Sequence, residues 1–157
     1  MKSNKGFTLI ELLAVIVILA IIALIASPII IGLIDDARKE AAASSAHGVL
    51  KSAENVIAKV LIKNNGDGLS KYLKYEFGSG GSVTITASAD GNDPWSSVNH
   101  TDFGLTDNKP LQLDFNGTKP TSGSITIDKT GVATVVTTLK INNYNCEYEN
   151  KQFECEN

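Results

Sequence analysis

The sequence predicts an α+β fold, in which one long N-terminal helix precedes an antiparallel β-sheet head. Three observations support this prediction. Residues 12–34 are almost entirely apolar and carry no charge. Apolar residues then recur at three- and four-residue steps up to residue 61, as on one face of a helix. Later segments alternate between apolar and polar residues, which is typical of half-buried strands. About 120 residues outside the apolar run are enough for one hydrophobic core.

The apolar run is long enough to cross a lipid bilayer, which needs about 20 residues. Lys2 and Lys5 precede it, as in a secretory signal peptide, but the small residue Gly6 stands before the run and not after it. A plain membrane anchor would explain the length but not Glu11, because an ionised carboxylate in lipid costs about 2.5 kcal/mol or more. Either Glu11 lies at headgroup depth, or it has a partner and a function.

The segment Lys5-Gly-Phe-Thr-Leu-Ile-Glu-Leu-Leu13 resembles the class III signal of type IV pilins and pseudopilins. The resemblance covers about the first 60 residues. It implies that a prepilin peptidase, which is also a methyltransferase, cuts after Gly6 and methylates the new N-terminal amine of Phe7. The precursor would be a single-pass protein of the cell membrane with its basic leader in the cytoplasm, as the positive-inside rule expects.

The same resemblance implies that Glu11 sets the register of assembly. Glu11 of an arriving subunit would pair with the Phe7 amine of a subunit already in the filament. Opposite charges attract more strongly in lipid than in water, and an unpaired buried carboxylate is penalised. The implied partners are further copies of the chain in a helical homopolymer, minor pilins, an assembly ATPase and an inner-membrane platform protein. The final location would be an extracellular pilus on the bacterial surface.

Pro28 interrupts the apolar helix. It has no N–H to donate to the carbonyl of Leu24, and its ring crowds that turn. Gly32 weakens the helix further, and Ser27 can donate to a freed carbonyl. We expect a kink at Pro28 and Gly32, with the weakest helix over residues 24–32. The alternative is a bend of the kind that membrane helices commonly tolerate.

The pattern becomes amphipathic after Ile34. Charged residues between 35 and 40 mark the water interface, and the apolar stripe that follows requires a soluble partner surface. Residues 64–68 should end the helix. The predicted organisation is a cleaved leader (1–6), a protruding hydrophobic transmembrane or filament-core helix (7–34), an amphipathic helix half (35–64) and a β-sheet head (65–157). The predicted stripe consists of Ala46, Val49, Leu50, Ala53, Val56, Ile57, Val60 and Leu61.

The head should contain a short helix and several strands. We predict the helix at 69–77, strands at 82–87, 111–115, 124–128 and 133–141, and a loop at 89–107. Asn116-Gly117 indicates a turn, and Thr130-Gly131 indicates a hairpin. Consecutive strands with short connections favour an antiparallel sheet, one apolar face of which would cover the helix stripe.

Cys146 and Cys155 lie close to the C-terminus. In an exported head they can form one disulfide, and closing a loop of about ten residues would stabilise the fold by about 2.5 to 3 kcal/mol. A free or intermolecular pair is the alternative. Many type IV pilins close a C-terminal loop in this way, so the resemblance also implies the disulfide.

The sequence contains no motif that predicts an enzyme, a metal site or a cofactor. His47 and His100 are isolated, and His47 is expected on the helix surface. Residues 90–95 could be a calcium loop, because oxygen-rich turns bind hard cations. They lack the spacing of a calcium loop, which favours a plain turn with Trp95 tucked onto the head. A net charge of −3 gives no reason to expect specific nucleic-acid binding.

Three functions compete. The first is a structural subunit, the major pilin, of a type IV pilus that would serve adhesion or motility. The second is a pseudopilin of a type II secretion or competence DNA-uptake machine. The segment Asp93-Pro-Trp95 faintly resembles a segment of major pseudopilins, although Ser96 stands where those usually have glycine. The cysteine pair favours a pilin. The third, a membrane-anchored exported enzyme or binding domain, leaves Gly6, Phe7 and Glu11 unexplained.

Overall fold

A computed structural model describes residues 6–106 and 109–157 and confirms the α+β prediction. By contact density the chain divides into two compact units, up to Arg38 and from Lys39 to Asn157. Three short 3-10 helices lie at Ser79–Gly81, His100–Phe103 and Lys109–Leu111. The main elements are helix α1 (Leu9–Lys63) and strands β1 (Tyr72–Gly78), β2 (Ser82–Ser88), β3 (Ser96–Ser97), β4 (Ser122–Ile127), β5 (Ala133–Ile141), β6 (Tyr144–Glu149) and β7 (Gln152–Glu156).

In the second unit, α1 buries one stripe in the core of the head. The predicted stripe is confirmed. The helix ends at Lys63, as predicted, because Asn65 adopts a left-handed conformation (φ 56°) and the Gly66 N–H donates to the Leu61 carbonyl at 2.9 Å. The buried stripe residues are Ala46, Val49, Leu50, Ala53, Val56, Ile57 and Val60, and Leu61 is half-buried.

The seven strands form one antiparallel sheet in the order β3-β2-β1-β4-β5-β6-β7. The predicted helix at 69–77 is wrong, because this segment contains β1, which pairs with β2 on one side and β4 on the other. Leu73, Tyr75 and Phe77 alternate into the core. In the sequence, the four-residue spacing of Leu69, Leu73 and Phe77 fits a helix as well as the alternation fits a strand. The segment forms a strand because it pairs with a neighbouring strand on each side.

The predicted strand at 111–115 is also wrong. Leu111 ends a 3-10 helix and accepts a hydrogen bond at 2.9 Å from the hydroxyl of the buried Tyr75. Asp114 uses both backbone groups on one helix side chain: its N–H donates to Ser52 Oγ at 2.8 Å, and Ser52 Oγ donates to its carbonyl at 2.9 Å. The alternation of apolar and polar residues over 111–115 therefore reflects burial and not pairing with another strand.

Small residues of α1 allow this segment to approach the helix. Gly48 lies close to the 114–118 segment, since a Cβ at Gly48 would be 3.2 Å from the Asn116 carbonyl oxygen. One turn earlier, Ser45 Oγ accepts a hydrogen bond from the Thr118 N–H at 3.2 Å. A larger side chain at position 48 would push the 114–118 segment away from the core.

The predicted hairpin at Thr130-Gly131 is confirmed. It joins β4 to β5, and Asp128 organises its turn: the Asp128 carboxylate accepts hydrogen bonds from the backbone N–H groups of Thr130 and Val132 and from the Thr130 hydroxyl. Gly131 has φ 91°, a conformation that costs least at glycine. The strands predicted at 82–87, 124–128 and 133–141 correspond to β2, β4 and β5.

The predicted loop at 89–107 is wrong in part, because it contains the two-residue strand β3 and the 3-10 helix His100–Phe103. The sequence analysis also missed β6 and β7. Both are joined to their neighbours by two-residue turns with positive φ, at Asn142 (56°) before β6 and at Asn150 (50°) and Lys151 (67°) before β7. Such turns are typical of tight hairpins. The signal was the alternation of buried residues, which β6 and β7 both show. The cysteine spacing alone predicts only a disulfide loop in this segment.

His47 packs against this last hairpin and does not lie free on the helix surface, which corrects the prediction. Its Nε2 accepts a hydrogen bond from the Phe153 N–H at 3.4 Å, and its ring meets the Phe153 ring edge-on with centroids 5.0 Å apart. His47 therefore contributes a contact between α1 and β7.

Strand β7 is one edge of the sheet. Glu154 and Glu156 are exposed there and alternate with the buried Phe153 and Cys155. Glu147 of β6 lies directly opposite Glu154 and is also exposed. The outer face of the last hairpin is therefore strongly acidic.

We expect Ser52→Ala to lower the free energy of unfolding by about 2 kcal/mol. The substitution removes two hydrogen bonds and leaves the Asp114 N–H and carbonyl without their partner. Urea unfolding of the full chain in detergent, followed by the fluorescence of its single tryptophan, measures the change. Ser44→Ala is the matched control, because Ser44 is exposed on the same helix and should change stability by about 0.5 kcal/mol or less. Equal effects of the two substitutions would contradict the expectation.

Asp128 should make stability depend on pH. The Thr130 hydroxyl, and with it the backbone N–H groups of the turn, lowers the pKa of the Asp128 carboxyl, against a smaller opposing effect of burial. A lowered pKa in the folded state contributes stability above the unfolded value of about 3.9, and this is lost as pH falls through the folded value. Asp128→Asn should therefore cost about 1 kcal/mol at neutral pH.

The difference between Asp128→Asn and the wild type should shrink at acidic pH, where both side chains are neutral. Urea unfolding at neutral pH and again below the folded-state pKa provides the comparison. Glu154→Gln is the control, since Glu154 faces the like charge of Glu147 and should lose no stability at neutral pH. A cost for Asp128→Asn that stays constant with pH would exclude the charge of Asp128 as the cause.

Candidate functional site at the N-terminus

The first turn of α1 forms a capping box. Thr8 precedes the helix, and its N–H and its hydroxyl donate to Glu11 Oε2 at 2.8 Å and 2.7 Å. In return, the Glu11 N–H donates to Thr8 Oγ1 at 3.3 Å. Three otherwise unpaired groups at the helix start are thereby satisfied.

The capping box gives Glu11 a local role that the sequence analysis missed. The signal was present, because Thr8-Leu-Ile-Glu11 has the Thr-x-x-Glu spacing of this motif. All the hydrogen bonds go to Oε2. Within the part of the chain that the structure describes, Oε1 has no hydrogen-bond partner, so this oxygen is available to a group from outside.

Gly6 and Phe7 lie before the helix, and both are exposed; the Phe7 side chain is 83 % exposed. The peptide bond between them is thus in non-helical, accessible chain. Neither residue belongs to the capping box, which begins at Thr8.

The helix surface from residue 12 to residue 34 is an uncovered apolar surface. Its large apolar side chains are between 45 % and 78 % exposed in the isolated chain. Soluble monomers rarely expose contiguous apolar area on this scale, so the surface requires lipid or protein around it. By length and composition, α1 is a helix that can span a membrane.

Pro28 lies within α1, which continues as a helix on both sides of it. Ser27 does donate to a carbonyl, as predicted, but the acceptor is Ala23 at 2.8 Å and not Leu24, the carbonyl that Pro28 leaves without its donor. A Cβ at Gly32 would meet no atom within 4 Å. The kink at Pro28 and Gly32 stays a prediction.

In the head, the predicted disulfide is confirmed. Cys146 and Cys155 are directly opposite each other in β6 and β7, and their sulfurs are bonded. The bond joins two neighbouring strands and so reinforces the last hairpin.

The 90–95 segment is a turn, in which Asp90 Oδ1 accepts hydrogen bonds from the Asn92 N–H at 3.0 Å and the Ser88 hydroxyl at 3.1 Å. These hydrogen bonds, chiefly the one from the Asn92 backbone, lower the pKa of the Asp90 carboxyl. Among residues 6–106 and 109–157, no three histidine, cysteine or carboxylate side chains are grouped so that they could hold a metal. Trp95 is half-buried, with Lys74 Nζ 5.4 Å from its ring centroid.

Comparison with known proteins identifies the N-terminus. A family model described as the prokaryotic N-terminal methylation motif matches residues 1–27. No curated protein and no solved structure matches the chain. The arrangement of a long N-terminal helix packed on an antiparallel sheet is that of a type IV pilin-like α+β fold. Residues 1–27 of this chain are therefore the class III signal peptide region of the type IV pilins and pseudopilins.

Proposed function

We propose that the chain is the major structural subunit of a bacterial type IV pilus. The observation that carries the proposal is a class III signal joined directly to an exposed apolar helix. This signal implies processing by prepilin peptidase and a structural role in place of an enzymatic one. A membrane-anchored precursor that is later assembled into a surface pilus fits the same features.

Processing would occur at the bond between Gly6 and Phe7, followed by methylation of the Phe7 amine. The exposed, non-helical backbone there supports this site, because a peptidase needs an extended substrate segment. Cleavage would leave the capping box intact, since Thr8 is the first residue that takes part in it. The mature chain would begin at Phe7, one residue before the capping residue Thr8.

Glu11 would then set the register by pairing with the Phe7 amine of a neighbouring subunit. Thr8 occupies Oε2 of the carboxylate, and Oε1 remains for the neighbour. The capped acid costs less in the membrane than a bare one, because a carboxylate in an apolar medium is stabilised by each donor it receives. The neighbour's amine would add the opposite charge that the donors of Thr8 do not supply.

Assembly would exchange lipid around residues 12–34 for the helices of neighbouring subunits. This exchange has little hydrophobic driving force, because lipid tails and packed apolar side chains are similar solvents. Close packing and the pairing at Glu11 would therefore select the register. The energy for extracting subunits from the membrane would come from an assembly ATPase that acts through the inner-membrane platform protein.

A pseudopilin of a secretion or DNA-uptake machine is the second candidate, because the methylation motif is common to both groups. The disulfide near the C-terminus favours the pilin. The segment that faintly resembles major pseudopilins, residues 93–95, adjoins the Asp90 turn and ends at the half-buried Trp95.

Immunogold electron microscopy of cells and sheared surface material distinguishes the two candidates. With antibody against residues 69–157, we expect continuous label along long surface filaments. Label confined to the cell envelope, with none in the sheared fraction, would indicate a pseudopilin. Label only at filament tips would indicate a minor pilin.

We expect Glu11→Ala to reduce the number of filaments at least tenfold while processed subunit accumulates in the membrane at the normal level. Counting filaments by microscopy and quantifying subunits by immunoblot measure the two effects. Thr8→Val is the matched control: it removes the hydroxyl from the capping box but keeps the carboxylate, so filament number should stay near that of the wild type. Equal losses in both variants would mean that Glu11 acts by capping the helix alone.

A further inference from the structure

The face of the sheet opposite α1 carries a groove that the proposed function does not use. It has a volume of about 370 Å³, which lies within the range of small-molecule sites. Strands β1, β4 and β5 form its floor, and the 89–95 loop forms one side. Its lining includes Tyr72, Trp95, Thr126, Thr134, Asp128 and Val136.

Two aromatic residues, Tyr72 and Trp95, line the groove, and each has a lysine ammonium near its ring. Gly91 lies against the Tyr72 ring, since a Cβ at Gly91 would be 3.1 Å from Tyr72 Cδ1, and Lys129 Nζ is 5.8 Å from the centroid of that ring. Lys74 Nζ contacts the Trp95 ring in the same manner. Cation–π contacts of this kind attract the lysine to the ring and favour these ring positions.

The floor of the groove carries polar side chains beside the apolar Val136. Thr126 and Thr134 are directly opposite each other in β4 and β5, and Thr126 is also opposite Lys74 in β1. The hydrogen bonds of the Asp128 turn use only Oδ1. Within the described ranges, Asp128 Oδ2 has no hydrogen-bond donor, so the lining of the groove offers threonine hydroxyls, one carboxylate oxygen and two aromatic rings.

We propose that this groove binds a saccharide. A sugar ring has an apolar C–H face, which stacks on aromatic rings, and a rim of hydroxyls, which both donate and accept hydrogen bonds. A proline-rich peptide also docks in aromatic-lined grooves. Proline has no N–H, however, so the backbone of a polyproline segment cannot donate to the Asp128 carboxylate. The threonine hydroxyls and the carboxylate therefore favour the sugar. This inference does not depend on the role of the chain in a filament.

The test uses the full chain in detergent on an array of neutral and N-acetylated oligosaccharides. Each oligosaccharide that binds on the array is then titrated into the protein while tryptophan fluorescence is recorded. Trp95 is the only tryptophan, so a fluorescence change reports binding at the groove. Chitotetraose, cellotetraose and maltotetraose are the first probes, and a polyproline peptide is run in parallel. We expect a saturable fluorescence change with at least one oligosaccharide and none with polyproline.

Variants then assign the binding to the groove. Tyr72→Ala should weaken binding about tenfold or more, and Tyr72→Phe, which keeps the ring, should bind nearly as well as the wild type. Ile62→Ala, at an exposed helix position outside the groove, should not affect binding. Circular dichroism and thermal unfolding verify that each variant is folded. No response to any arrayed oligosaccharide, a response to polyproline alone, or unchanged binding by folded Tyr72→Ala would each overturn the proposal.

Discussion

The burial of one helix stripe against a sheet is the interaction on which the head depends. The stripe of α1 brings small and branched apolar residues to the inner face of the sheet, where Ile125, Leu139 and Ile141 are fully buried. The adjacent face of the helix carries Ser45, Gly48 and Ser52, which hold the 114–118 segment against it. Because helix, sheet and connecting segment share these contacts, no one of the three can bury its apolar residues without the others.

A single helix presents two different surfaces in the two units. From Leu12 to Ile34 it is apolar on every side, which suits a lipid or protein surrounding. From Lys39 onward it has one buried face and one polar face, which suits a soluble head. The backbone conformation is the same in both, so side-chain composition alone changes the environment that each part requires. The capping box at Thr8 and Glu11 and the terminal turn at Asn65 and Gly66 define where this helix begins and ends.

The sequence predicted the elements that local pattern determines. The helix stripe, its end near residue 64, strands β2, β4 and β5 and the Thr130-Gly131 hairpin all follow from periodicity or turn residues. Two failures occur where tertiary contacts decide, whereas β6 and β7 were missed although their alternation is local. Residues 69–77 fit both the helix and the strand period, and pairing within the sheet makes them a strand. Residues 111–115 alternate as a strand would, but their backbone groups form hydrogen bonds with the side chains of Ser52 and Tyr75. At the N-terminus, the class III signal could be recognised from the sequence. The capping box of Thr8 and Glu11 was missed, although the Thr-x-x-Glu spacing indicates it.

The acidic edge of the sheet has a consequence for the proposed filament, in which many copies of the head would lie close together. Strand β7 has an open edge, and an open edge can add strands from another chain. When many heads are held close together, this risk is greatest, since the local concentration of edges is high. Glu154 and Glu156 make each edge repel the same edge of another copy. Heads in such a filament could thus lie close together and still remain separate folded bodies, which would leave the helices as the surfaces through which copies join.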